Sequence, residues 1–270
     1  MVDRLLGRVV IVTGAGRGLG RSVVQGFSAE GATVIAVSRS ADELAELAAA
    51  LISGAGSVEV VPGDLGDDGF IDRLVDGVIV RHGRVDVIVN NAAILEPRLF
   101  REMSRADFDR TMQVNLRAPI VLAHTVLPAM LAAGRGSIVN VGSAASWKGF
   151  ELETHYCAAK FGLEGFSEAL AMELRADNIA VNRLTPGLLI KPTSLTLSAA
   201  AAVSPEIQAT WRDPMPMVDA FTYLALQDGS GTTGHLFDAF TLAEQVRDNG
   251  WEARYVPTWD GTTRGAARVG

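Results

Sequence analysis

Along this chain, short apolar runs of β-branched residues alternate with longer amphipathic stretches, and the switches between them mark the elements. Arg8 to Thr13 reads Arg-Val-Val-Ile-Val-Thr and stops at glycines, the pattern of a strand buried on both faces. Thr33 to Ser38, Val58 to Pro62, Val85 to Asn90 and Gly136 to Val141 repeat it, and Asn182 to Gly187 closes a sixth strand. Between them, helices are predicted from the first glycine turn to about Ala29, then over Ala41 to Ser53, Asp67 to His82, Asp107 to Gly134 and Thr154 to Asp177. Regular alternation with right-handed crossovers predicts an α/β fold, a doubly wound parallel sheet of about seven strands in three layers, the Rossmann arrangement. In such folds ligands bind at the carboxyl ends of the strands.

A single domain is expected over residues 1–240, with a tail over 241–270. Ala, Ser and Leu dominate 188–217, and Pro192, Pro205, Pro214 and Pro216 break its regularity. The apolar content of 48% is ample for one core. A formal charge of −7 without a basic stripe excludes nucleic acid as partner, because phosphate binding needs clustered Lys and Arg. The most apolar long segment, Ala118 to Ala133, is shorter than the roughly 20 residues a membrane span needs, so it is expected to be a core helix. Cys157 is the one cysteine, which rules out an intrachain disulfide and fits a reducing, cytoplasmic compartment. No Cys/His spacing suggests a metal site.

Three stretches carry candidate chemistry. Gly14-Ala15-Gly16-Arg17-Gly18-Leu19-Gly20 joins the first strand to a helix. There, free N–H groups and the helix dipole converge on an anion such as a phosphate. At the end of the second strand an NAD site offers an acid to the ribose 2′-hydroxyl, and this chain offers Ser38-Arg39-Ser40. Arg39, with Arg17 from the glycine turn, can pair with a 2′-phosphate, which favours NADP(H) and leaves NAD(H) as the other candidate. Tyr156 and Lys160 stand four residues apart, on one helical face. A neighbouring ammonium is expected to lower the phenol's pKa and make it a proton donor or acceptor for a ketone or alcohol. Asp64-Leu65 and Asn90-Asn91-Ala92-Ala93 lie at further strand ends, where small residues let a loop pass close to a cofactor.

Together with Asn115, Ser143 and Pro186-Gly187, these motifs make the chain resemble the short-chain dehydrogenase/reductases over residues 8 to about 240. The resemblance implies that Asn115 interrupts its helix and holds a water in the proton path to Lys160. It implies that Ser143 hydrogen-bonds the substrate oxygen and that Pro186-Gly187 borders the nicotinamide. It also places a substrate lid at 188–217 and pairs the two long helices in a homodimer or homotetramer. Ala93 stands where the family usually has glycine, and the last strand, within Thr233 to Asp238, lacks the common glycine pair.

The expected activity is hydride exchange between NADP(H) and the carbonyl or secondary alcohol of a small, largely apolar molecule. Its rivals are NAD-dependent alcohol oxidation with the same residues and a non-catalytic nucleotide sensor that uses the tail for a partner.

Overall fold

The computed structural model describes residues 3–51, 56–187, 190, 195 and 197–257. Seven strands form one parallel sheet in the order β3-β2-β1-β4-β5-β6-β7. They are β1 (Val9–Thr13), β2 (Thr33–Ser38), β3 (Ser57–Pro62), β4 (Val87–Asn90), β5 (Gly136–Val141), β6 (Ile179–Thr185) and β7 (Leu236–Asp238). Side chains alternate across the sheet, so β1 feeds two cores at once. Val10 and Val12 enter one core, whereas Val9 and Ile11 enter the other. An all-apolar strand satisfies both faces only because helices cover both.

The first core is covered by α1 (Gly18–Ala29), α9 (Val218–Ala225) and α10 (Ala239–Asn249), the second by α3 (Asp68–His82), α5 (Ala118–Ala133) and α6 (Thr154–Leu174). Helix α2 (Ala41–Ala50) packs on β2 and β3. In α1 the buried Leu19, Val23, Val24 and Phe27 recur at helical spacing and form its inner stripe. The order of the strands reverses between β1 and β4, which opens a crevice beyond their carboxyl ends.

Two expectations change on folding. In the helix carrying Asn115, α4 (Arg105–Met112) passes into a π-helical turn, Gln113–Arg117, before α5. As a result the helical run Arg105–Ala133 has 29 residues and is long and apolar enough, by length and composition, to cross a membrane. The length argument taken from Ala118 to Ala133 therefore fails, although Leu122, Val126 and Met130 of α5 are buried in the second core.

Residues beyond 240 do more than extend the chain. Phe240, Leu242, Ala243 and Val246 of α10 and the following Tyr255 are buried in the first core. Tyr255 meets Tyr223 edge to face at 5.1 Å, and the Tyr223 hydroxyl donates to the Ala253 carbonyl at 3.1 Å. The expected boundary at 240 thus cuts through a packed layer. Within the expected lid, α7 (Leu197–Ala201) and α8 (Pro205–Gln208) are short helices. Leu188, Pro192 and the end of the tail, Asp260 to Gly265, lie outside the described residues.

Candidate active site

A cleft of about 370 Å³ opens at the reversal point of the sheet. Its walls include Gly14, Arg17, Gly18, Leu19 and Gly20 from the glycine turn, and Ser38, Arg39, Asp64 and Leu65 from the ends of β2 and β3. Asn91 and Ala92 follow β4, and Ser143, Tyr156, Lys160, Pro186 and Gly187 complete the opposite side. Of the four residues expected to carry the chemistry, Asn115, Ser143, Tyr156 and Lys160, only Asn115 is not on the wall, although its neighbour Val114 is.

The glycine turn is shaped by close approach. Gly14 has φ +67°, and a side chain there would meet the Ala92 Cα at 2.8 Å. At Gly20 a side chain would run into the Gly14 carbonyl. Gly18, at φ +54°, has only open space where its Cβ would be, and it begins α1, whose N-terminal N–H groups have no side-chain cap. Open space at the positive end of a helix is what a pyrophosphate requires, so these residues fit a dinucleotide. Thr13 and Asn91 hold the turn in place. The Thr13 hydroxyl accepts from the Asn91 and Ala92 N–H groups at 3.0 and 3.1 Å, and Asn91 Nδ2 donates to the Thr13 carbonyl at 2.9 Å.

Two ion pairs at the nucleotide end escape a reading by strand ends alone. Arg17 is paired with Glu43 of α2 at 3.1 Å, so an acid does reach this corner, delivered by the following helix and not by β2. Arg110 of α4 grips Asp64 at 2.8 and 2.9 Å. Burial opposes ionisation of Asp64, but hydrogen bonds from the Gly66 N–H and Arg110 outweigh it and hold the carboxyl below its ordinary value. Arg39 is exposed.

At the other end, α6 carries Tyr156 and Lys160, both buried. Ser143, just past β5, hydrogen-bonds the Tyr156 hydroxyl and accepts from the Ala145 N–H at 3.2 Å. A buried ladder fixes the register between β4, β5 and α6. Asn90 Nδ2 donates to Asn140 Oδ1 at 2.8 Å, and Asn140 Nδ2 donates to Ser167 Oγ at 2.8 Å.

The expected effect of Lys160 on the phenol is corrected here. Lys160 Nζ donates to the Val141 carbonyl at 2.8 Å and stands 5.7 Å from the Tyr156 ring centre. Burial pushes the Tyr156 pKa up to about 12, against the hydrogen bond from Ser143, and lowers that of Lys160 to about 8. Burial is the largest cause of the Tyr156 shift, Glu153 and Cys157 add to it, and Tyr156 is a protonated phenol at neutral pH. Such a phenol can give a proton to a carbonyl oxygen.

Asn115 acts through its side chain as a clamp. Its Oδ1 accepts from the Ile94 N–H at 2.8 Å and its Nδ2 donates to the Ile94 carbonyl at 2.7 Å. The π turn brings Asn115 inward, and the clamp fixes the loop after β4. Leu95 and Phe150 pack beside Tyr156 and, with Glu153 and Ile190, line the cleft, and burial raises the Glu153 pKa.

A glycine turn under a helix start, facing a Ser-Tyr-Lys group across one cleft, defines a nicotinamide-dinucleotide oxidoreductase. A sequence profile of the short chain dehydrogenase family matches residues 8–201, and the chain belongs to that family. It is 34% identical to the 3-oxoacyl-[acyl-carrier-protein] reductase FabG of Thermotoga maritima over 86% of this chain and 96% of that protein. It is 35% identical to bovine L-xylulose reductase over 86% of this chain and 94% of that protein. A metagenomic short-chain oxidoreductase solved in complex with NADP superposes with a TM-score of 0.75 at 29% identity, covering 87% of this chain and 97% of its own. The protein is an NAD(P)-dependent oxidoreductase acting on carbonyl or alcohol groups.

Proposed function

We propose that the enzyme uses NADP(H) in preference to NAD(H) to interconvert a ketone and a secondary alcohol in a small, largely apolar molecule. The observation that carries this reading is the single cleft that joins the glycine turn and Arg39 to Ser143, Tyr156 and Lys160. The dinucleotide, when bound, supplies or accepts the hydride. Tyr156 holds the proton that a carbonyl oxygen needs, and Ser143, hydrogen-bonded to it, orients that oxygen. Lys160 holds the end of β5 against α6 and lies within the same wall, ready to bind ribose hydroxyls. Asn115 fixes the loop that borders Tyr156's side of the cleft. Apolar Leu95, Phe150 and Ile190 support a greasy substrate.

NAD-dependent alcohol oxidation is the second reading, and the carboxylate of Glu43 beside Ser38 is the observation in its favour. A panel of ketones and alcohols, assayed with both cofactors in both directions, separates the two. Faster turnover of NADPH with ketones supports the first reading, and activity confined to NAD with alcohols supports the second.

The enzyme is also inferred to be a homodimer or homotetramer acting in the cytoplasm. Exposed Phe108 on α4 and Phe161 and Met172 on α6 support a partner for the helical face.

A further inference from the structure

Glu43 and Ser38 converge on one point of the glycine turn. Glu43 Oε2 lies 2.9 Å, and Ser38 Oγ 3.1 Å, from the place a Gly16 Cβ would occupy. The other carboxylate oxygen, Oε1, is held by Arg17 Nη1 at 3.1 Å, with the two side chains 26% and 14% exposed. The first turn of α2 presents Glu43 there, because the Ser40 hydroxyl caps the helix by accepting from the Glu43 N–H at 3.2 Å. In dinucleotide folds this corner, beyond the second strand, receives the adenosine ribose.

We propose that Glu43 is a specificity-determining residue that restrains the preference for a 2′-phosphate, by engaging Arg17 and by placing a carboxylate where the phosphate would lie. The proposal rests on the cofactor reading above and refines it. A 2′-phosphate approaching this corner meets Arg39 on the exposed rim, and it must also compete with Glu43 for Arg17. A free 2′-hydroxyl meets no repulsion, and Glu43 Oε2 offers it an acceptor. The chain thus places phosphate-seeking arginines and a ribose-seeking acid at the same corner, and the cofactor ratio measures their balance. Gly16 belongs to the same device, since any side chain there would press on the Glu43 carboxylate.

The test is a fluorescence titration of NADPH and NADH against the parent, Glu43→Gln, Glu43→Ala, Arg17→Gln and the Arg17→Gln/Glu43→Gln double variant. It reads binding without turnover. Because a charge-assisted contact is worth roughly tenfold in affinity, Glu43→Gln is expected to tighten NADPH several-fold while leaving NADH unchanged or weaker. The alanine variant, which keeps no polar group at this position, should shift the ratio the same way. The gain should shrink when Arg17 is already absent. Unchanged or weaker NADPH binding in both Glu43 variants would overturn the proposal, and so would a gain of equal size without Arg17. The parent's own ratio tests the cofactor reading separately. A parent that binds NADH more tightly would defeat that reading, and the shift on removing Glu43 would still decide this one.

Discussion

The Lys160 ammonium donates to the Val141 carbonyl at 2.8 Å, so one buried charge ties the end of β5 to the second turn of α6. Both residues line the cleft together with Ser143 and Tyr156. Lys160→Met should therefore harm turnover and cofactor affinity together, and measuring the NADPH dissociation constant beside the rate checks both. A variant with parental affinity and parental rate would show that Lys160 serves packing alone.

Burial of Lys160 also sets a pH dependence of stability. Its pKa is about 8 in the folded protein against 10.5 as the ordinary value. Between those values the unfolded chain binds more protons, so this group makes stability rise with pH from about 8 to 10.5. Tyr156 works in the opposite direction, but only above its ordinary value of 10, because its folded pKa is about 12. Urea unfolding at pH 8 and pH 10 should show the parent gaining stability relative to Lys160→Met. A parent that lost ground would contradict the buried charge.

Asn115 holds both main-chain groups of Ile94, at 2.8 and 2.7 Å, and is itself fully buried. Asn115→Ala leaves an N–H and a carbonyl without those partners, at a cost of about 1 to 3 kcal/mol each. Thermal or denaturant unfolding should register a loss of at least about 2 kcal/mol, together with slower turnover as the loop after β4 loosens. A change below about 0.5 kcal/mol would mean that water replaces the side chain at no cost.

The Arg110–Asp64 pair is part exposed, with side chains 34% and 46% accessible. Its double-mutant cycle should give a coupling of no more than about 1 kcal/mol in stability. Arg110→Ala should nevertheless weaken nucleotide binding, because Asp64 and its neighbours line the cleft. Titration of the same variants with NADPH checks this, and unaltered affinity would confine the pair to the fold.

The parts legible in the sequence were those written in local pattern. Apolar runs ending in glycine placed β1 and its turn, and the spacing of Tyr156 and Lys160 placed both on one face of α6. What escaped depends on contacts between distant segments. Glu43 reaches Arg17 across 26 positions and Arg110 reaches Asp64 across 46, and no local pattern announces either. The direction of the Tyr156 pKa is not legible in the sequence, because spacing reveals a neighbouring charge but not the depth of burial that raises the pKa. Residues after 240 look like an appendage because the motifs end there, yet Leu242, Ala243 and Val246 follow the helical spacing of a core face.

The proposed assembly rests on exposed apolar side chains. Phe108, Phe161 and Met172 are 40%, 40% and 76% exposed on α4 and α6. Light scattering at micromolar concentration should give a dimer or tetramer of the 28.5 kDa chain. A monomer throughout that range would leave those residues as ordinary surface.

The central claim is that Tyr156 donates the proton to the substrate oxygen, and Tyr156→Phe tests it most directly. The substitution keeps the ring and its packing and removes only the hydroxyl that meets Ser143. The measurement is single-turnover oxidation of NADPH with a ketone substrate, alongside NADPH binding by the same sample. The predicted result is a rate lower by at least about 10²-fold with cofactor affinity nearly intact. An unchanged rate at full cofactor occupancy would contradict the assignment.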